Sequence, residues 1–153
     1  MVKLLVERDD VEADSKDNDD RTPLSWAAWN GHEEVVKLLV ERDDVKADSK
    51  DKNGQTSLSW AASEGHEEVV KLLVERDDVE ADSKDSDGLT PLCWAALNGY
   101  EAVVKLLVER DDVKADSKDN NGRTPLFWAA WNGHEAVVRL LRSGLTSLRE
   151  PLA

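Results

Sequence analysis

Thr22, Thr56, Thr90 and Thr124 each open nearly the same phrase, and they stand 34 residues apart. That period limits what the chain can fold into more than any other feature. Four copies begin at Asp17, Asp51, Asp85 and Asp119. Each carries Thr-Pro/Ser-Leu-x-Trp-Ala-Ala, then Gly-His/Tyr-Glu-x-Val-Val-Lys/Arg-Leu-Leu. The first three close on Val-Glu-Arg-Asp-Asp-Val-x-Ala-Asp-Ser-Lys, and residues 1–16 repeat that closing half. A unit this short cannot bury an apolar face alone and must stack on its neighbours. At 153 residues the chain fits one domain. Residues 1–153 therefore divide into a partial repeat (1–16), repeats at 17–50, 51–84, 85–118 and 119–144, and a cap or tail (145–153).

Local signals predict two antiparallel helices and a polar connection per unit, an all-α stack. Thr22 is a helix N-cap, Pro23 takes the first helical position where its missing N–H costs nothing, and Gly31 ends the helix. A second helix is expected over roughly 32–42. Val35, Val36, Leu38, Leu39 and Val40 form its apolar side, and Glu33, Lys37 and Glu41 a narrow polar strip with Glu33 and Lys37 spaced for an ion pair. From Asp43 to Gln55 the Asp, Ser, Lys, Asn and Gly content is turn chemistry.

At these residues the chain resembles the ankyrin-repeat family. Thr22-Pro23-Leu24, Ala27-Ala28, Gly31-His32, Val35-Val36 and Leu38-Leu39, with the Asp85 to Gly88 lead-in, follow the ankyrin pattern in order and spacing across essentially the whole chain. Tetratricopeptide repeats share the period but have longer helices and no polar connection of a dozen residues. The phrasing Trp-Ala-Ala and Asp-Ser-Lys-Asp is also similar to the near-identical ankyrin arrays of fungal NACHT-type signalling proteins. Three departures stand out. Trp26, Trp60, Trp94 and Trp128 replace the family's usual Leu; Ser25, Ser59, Cys93 and Phe127 replace its His; Asp43, Asp77 and Asp111 replace the glycine after the second helix. The four tryptophans are expected to pack in the core, and the hairpin tips to be shaped unusually.

Chemistry is absent where it was sought. His32, His66 and His134 sit one repeat apart, too dispersed for a compact metal site, and Tyr100 takes their place in the third copy; they read as helix-entry residues. Taking Ser83 as the first position of a calcium loop through Asp85-Ser86-Asp87-Gly88 puts Trp94 where the bidentate Glu belongs. Cys93, the only cysteine, has no His and Asp beside it and reads as a core residue. No catalytic residue, cofactor site or metal site is assigned. The lone cysteine forbids an intrachain disulfide and points to a reducing, intracellular setting, cytoplasmic by expectation with the nucleus also open. Met1 to Val6 is too short for a signal core or a membrane span. A net charge of −13 argues against nucleic acid and anionic membranes, and for a protein partner with a basic or mixed surface.

At the chain ends, Val2-Lys3-Leu4-Leu5 aligns with Val36-Lys37-Leu38-Leu39, so the N-terminal end is expected to be uncapped, open to self-association or part of a longer array. At the other end Ser143-Gly144 is expected to break the pattern, with Leu145, Leu148 and Leu152 as a short cap. Glu12, Lys46, Glu80 and Lys114 alternate in sign at one repeat position, which predicts a ladder of exposed ion pairs.

The copies differ mainly at the hairpin tips and the ends of the first helices. In the ankyrin resemblance those positions line a concave groove where partners dock. The implied partner-binding residues are Arg21, Trp29, Asn30, Lys52, Gln55, Ser63, Glu64, Leu89, Leu97, Asn98, Arg123, Trp131 and Asn132. Trp29, Leu97 and Trp131 would be exposed apolar anchors with Arg21 and Arg123 beside them, residue types enriched in interface hot spots. The alternative for Trp29 and Trp131 is that they fold over the neighbouring repeat. For the chain as a whole, the resemblance implies a protein–protein interaction scaffold; the alternative is a purely structural array with no partner of its own.

Overall fold

A computed structural model describes residues 12–149 of the chain, with side chains through residue 144. Eight helices, and no strand, form among the described residues. They come in pairs: α1 (Pro23–Trp29) with α2 (Glu33–Val40), α3 (Ser57–Glu64) with α4 (Glu67–Val74), α5 (Pro91–Asn98) with α6 (Glu101–Val108), and α7 (Pro125–Trp131) with α8 (Glu135–Arg149).

Each first helix starts where the sequence says it should. The Thr22, Thr56, Thr90 and Thr124 hydroxyls accept from the backbone N–H three residues on, at 3.2 Å in every copy. In the first repeat the Ser25 hydroxyl returns the favour to the Thr22 N–H at 2.8 Å, closing a capping box. Gly31, Gly65, Gly99 and Gly133 end the first-helix segments with φ between +71° and +80°, which a Cβ disfavours. The second helices of the first three repeats are shorter than expected. Each stops at Val40, Val74 or Val108 rather than running to the arginine two residues on.

An Arg-Asp-Asp sequence follows each of these helix ends, where the family carries glycine. Arg76 grips Asp78 with two parallel bonds, Nε to Oδ1 at 2.9 Å and Nη2 to Oδ2 at 2.8 Å. Its remaining Nη1 donates to the Val40 and Arg42 carbonyls of the preceding repeat, each at 3.3 Å. Arg110 does the same with Asp112 and the Val74 carbonyl. Each fork thereby satisfies carbonyls at the helix end of the preceding repeat.

The core is a continuous column. Leu24, Leu58 and Leu92 enter from the first helices, and Leu39, Leu73, Leu107 and Leu141 from the second, all essentially without solvent contact. Burying one such side chain contributes about 1.5–3 kcal/mol. The paired alanines 27–28, 61–62 and 95–96 let successive first helices lie close together. First helices pack on one another more tightly than second helices do, so the stack curves toward the first-helix and hairpin side.

Joints of several kinds hold consecutive repeats, lysine and asparagine side chains on neighbouring carbonyls among them, and four others stand out. The His66, Tyr100 and His134 rings cover Gly31, Gly65 and Gly99 so closely that an added Cβ would stand 2.5–2.7 Å from ring atoms. His66 and His134 donate from Nε2 to the Trp29 and Leu97 carbonyls at 2.9 and 3.0 Å. The histidines are therefore architectural, as their repeat position implied. Hairpin tips are tied by one backbone bond per step: Lys52 N–H to Asp19, Ser86 to Asn53, Asn120 to Asp87, all at 3.0 Å. Asp14, Asp48 and Asp82 carboxylates accept from the N–H of Lys46, Glu80 and Lys114 at 2.8–3.0 Å. The Arg76 and Arg110 forks are the fourth joint.

Three expectations are corrected here. Glu12, Lys46, Glu80 and Lys114 form no ion-pair ladder among the described residues; their repeats are joined at this position by carboxylate-to-backbone bonds instead. The Glu33–Lys37 pair is also missing, although its counterpart forms between Lys71 and both Glu67 and Glu68. At the C-terminal end the helix runs unbroken through Ser143 and Gly144. Gly144 is helical and close-packed: a Cβ there would meet Val108 at 2.9 Å. The side chains of Leu145 and Leu148, all of Leu152, and Val2 to Leu5 lie outside the described residues.

Candidate functional site

The four constant tryptophans are not core residues. Trp26 is 41 % exposed and Trp60, Trp94 and Trp128 are half-buried. Each indole N–H donates to an aspartate nine residues earlier, from Trp26 to Asp17, Trp60 to Asp51, Trp94 to Asp85 and Trp128 to Asp119, at 2.8–3.0 Å. The other oxygen of the same carboxylate accepts two backbone N–H groups of the hairpin, such as Asn53 and Gln55 on Asp51 at 2.9 and 3.0 Å. One aspartate thus shapes the hairpin and pins it to its helix. The hydrogen bonds to Asp17, first that from the Arg21 N–H, hold its carboxyl below the usual carboxylate range. Burial pushes Asp119 the other way, but the bonds from Arg123, Trp128 and Asn121 outweigh it.

An aromatic and cationic cluster stands at the first joint. The Arg21 guanidinium lies 5.1–5.6 Å from the ring centroids of Trp26, Trp29 and Trp60. Trp29 is stacked between Trp26 at 5.1 Å and Trp60 of the next repeat at 4.5 Å. Trp29 is therefore half-buried and folded over its neighbour rather than an exposed anchor, and Arg21 is held with it. Leu97 is also half-buried, beneath the exposed Asn132, whose amide donates to its carbonyl at 3.0 Å.

The last repeat builds the same motif in open form. Arg123 lies 5.2 Å from Phe127 and 5.1 Å from Trp128, Phe127 stacks on Trp131 at 5.8 Å, and Trp131 is 73 % exposed. Of the three expected anchors, Trp131 alone faces solvent. Phe127, which the sequence reading named only as a replacement for the family's His, joins it on the surface. Its signal was visible: an aromatic ring stands where two other copies carry small hydroxyls.

Asn30, Lys52, Glu64, Asn98, Arg123 and Asn132 are exposed, and Ser63 half-exposed, along the first-helix ends and tips. Gln55 and Leu89 are not part of that surface. They are 8 % and 7 % exposed, because the position four after the hairpin aspartate is pressed against the next hairpin. Gln55 shows this directly, its amide reaching Asp85 at 3.1 Å. Arginine at the same position reaches over the aromatic rings instead, Arg21 over Trp26, Trp29 and Trp60 and Arg123 over Phe127 and Trp128.

Cys93 is 1 % exposed, and burial pushes its thiol up to about 12, so it carries no thiolate at neutral pH. Both Asp85 oxygens are engaged by hairpin N–H groups, Gln55 and Trp94, which leaves no geometry for a calcium loop. Among the described residues no three His, Cys, Asp or Glu converge on a possible metal position. No helix there is long and apolar enough to cross a membrane.

None of the curated proteins compared matches the chain. The family model for ankyrin repeats, described as three copies, matches residues 1–85 and again 77–147. Ankyrin repeats are in general protein–protein interaction modules, typically without enzymatic activity of their own. With helix pairs, hairpins and a family match spanning nearly its whole length, the chain belongs to the ankyrin-repeat family.

Proposed function

We propose that the chain binds another protein along its curved first-helix and hairpin face. The observation that carries this reading is where the copies differ. The exposed tip position reads Asn18, Lys52, Ser86 and Asn120 and the exposed helix-end position Asn30, Glu64, Asn98 and Asn132, both on that one face, while the second helices repeat almost unchanged. Side chains that vary on a rigid, regularly spaced frame can choose a partner without disturbing the fold. Half-exposed indoles beside carboxylates, on a chain of net charge −13, favour a partner whose contact segment carries Lys or Arg. Similarity to fungal NACHT-type arrays suggests that this recognition serves a larger signalling chain. The test is capture from an extract with quantitative mass spectrometry, comparing the chain with a Lys52→Glu, Glu64→Lys, Arg123→Glu variant. A protein enriched by the first and lost with the second supports the reading. Identical capture profiles would leave a purely structural array as the better account.

A further inference from the structure

The middle of the first-helix face lacks a group that the first and fourth copies supply from within. The position four after the hairpin aspartate reads Arg21, Gln55, Leu89 and Arg123. Arg21 lies over the Trp26 ring at 5.2 Å and Arg123 over the Trp128 ring at 5.1 Å, each within its own repeat. Gln55 and Leu89 are buried instead, so the second and third copies bring no cation to their own indoles. Trp60 is served from the first repeat, by Arg21 at 5.6 Å and by the stacked Trp29 at 4.5 Å.

Trp94 has neither. Among the described residues no ring stacks on it and no guanidinium lies over it. It is half-buried, and its N–H is committed to Asp85 at 2.8 Å, so what it offers a ligand is ring surface. The residue corresponding to Trp29 at this joint is Ser63, half-exposed and too small to cover an indole, and the exposed Glu64 follows it. The Asn98 amide spans the joint at the backbone, donating to the Ser63 carbonyl at 3.0 Å.

We infer that the Trp94 ring is the seat of an arginine side chain of the partner protein, with Ser63 leaving room beside it and Glu64 supplying negative charge at the same joint. This seat presupposes that the face binds protein, and it names which side chain of the partner is read. The chain displays the chemistry itself: in the first and fourth copies a guanidinium lies on the indole at this same repeat position, so the frame accepts one there. Arginine suits the seat better than lysine. A planar guanidinium stacks on a ring and keeps its N–H groups for carboxylates, whereas an ammonium is a compact, strongly hydrated charge. The excess of 33 acidic over 20 basic residues draws a cationic segment toward the chain.

The test follows the indole N–H signals of the full, isotope-labelled chain by NMR while the peptide acetyl-Gly-Arg-Gly-amide is added. The control is the same peptide with citrulline, which is neutral and of nearly the same shape. The Trp94 signal is expected to shift saturably, and further than those of Trp26 and Trp128, whose rings Arg21 and Arg123 already occupy. The arginine peptide should bind about 2- to 30-fold more tightly than the citrulline one, the span between an exposed and a desolvated cation on an indole. Leu89→Arg and Ser63→Trp each install a residue that another copy carries at that position. Both should keep the circular dichroism of the parent and abolish the Trp94 shift, the first by filling the seat from within and the second by covering the ring. A Trp94 signal that does not move with the arginine peptide, that moves equally with citrulline, or that moves undiminished in Leu89→Arg overturns the inference. This signal reports the seat whether or not an extract yields a partner. A partner captured equally by the parent chain and by Leu89→Arg, yet lost with the triple variant above, overturns the seat and leaves the groove reading standing.

Discussion

One carboxylate per repeat does two jobs. Asp51 is one of three buried examples, with Asp85 and Asp119: its Oδ1 holds the hairpin N–H groups of Asn53 and Gln55, and its Oδ2 the Trp60 indole. An amide has a single acceptor oxygen, so Asp51→Asn must set an NH2 against either the turn or the indole N–H. The expected cost is about 1–3 kcal/mol, read as a lower urea midpoint. A gain is available at Asp20, which holds φ +62° where the other hairpins carry Gly54, Gly88 and Gly122. Asp20→Gly removes that strain and should stabilise by up to about 1 kcal/mol in the same assay. The carboxylates also set opposed pH dependences. Asp17 and Asp119 are held below their usual range, so their contribution is present above the unfolded value and is lost as pH falls through the folded one. Burial raises Asp48 and Asp82, so theirs is present below the unfolded value and is lost as pH rises through the folded one. The groups facing Asp48 are Glu80, Asp78 and Lys50, and those facing Asp82 are Asp112, Lys114 and Glu80. Mild acidification from neutral pH should therefore raise stability before strong acid lowers it. Asp48→Asn with Asp82→Asn should shrink the rise, and an unchanged rise would assign it to net charge alone.

The helix pairs, their caps and their order were legible because each depends on residues within one turn: Thr22 before Pro23, Gly65 after Glu64. What escaped the sequence depends on groups brought together by stacking. Trp60 looks like a core residue from its apolar neighbours, and only the folded hairpin shows Asp51 waiting for its N–H. Gln55 and Leu89 look like loop-tip positions, and the next repeat covers them. The end of α8 escaped for the same reason. Gly144 breaks an isolated helix, but here it lets α8 press against Val108. Glycines test this dependence on the neighbouring element. Gly65→Ala meets both a positive φ and the Tyr100 ring at 2.5 Å, whereas Gly133→Ala meets the φ alone. The second should cost about 1–2 kcal/mol. The first should cost clearly more, since Tyr100 must leave its seat, and equal losses in urea denaturation would show that the ring joint holds nothing.

Across the whole molecule, the joints between repeats and the net charge act in opposite directions. The chain has 33 acidic and 20 basic residues, and the ion pairs among its described residues join positions two to four apart in sequence. Repeats are joined instead by packed rings, backbone bonds, carboxylate-to-N–H bonds and arginine-to-carbonyl bonds. Salt weakens exposed ion pairs, each worth about 0.2–1 kcal/mol, and leaves these shorter-range joints nearly untouched. It also screens the repulsion spread over the stack by a charge of −13, which opposes the compact state at every pH above the carboxylate range. The balance favours salt: the urea midpoint should rise between low and half-molar sodium chloride. Lys46→Glu, which adds to the net negative charge but breaks no ion pair seen here, should lower the midpoint in low salt and do so far less in high salt. A loss that persists in high salt would mean that Lys46 is held by a local contact after all, and that the alternating charges at 46, 80 and 114 matter for more than their sum.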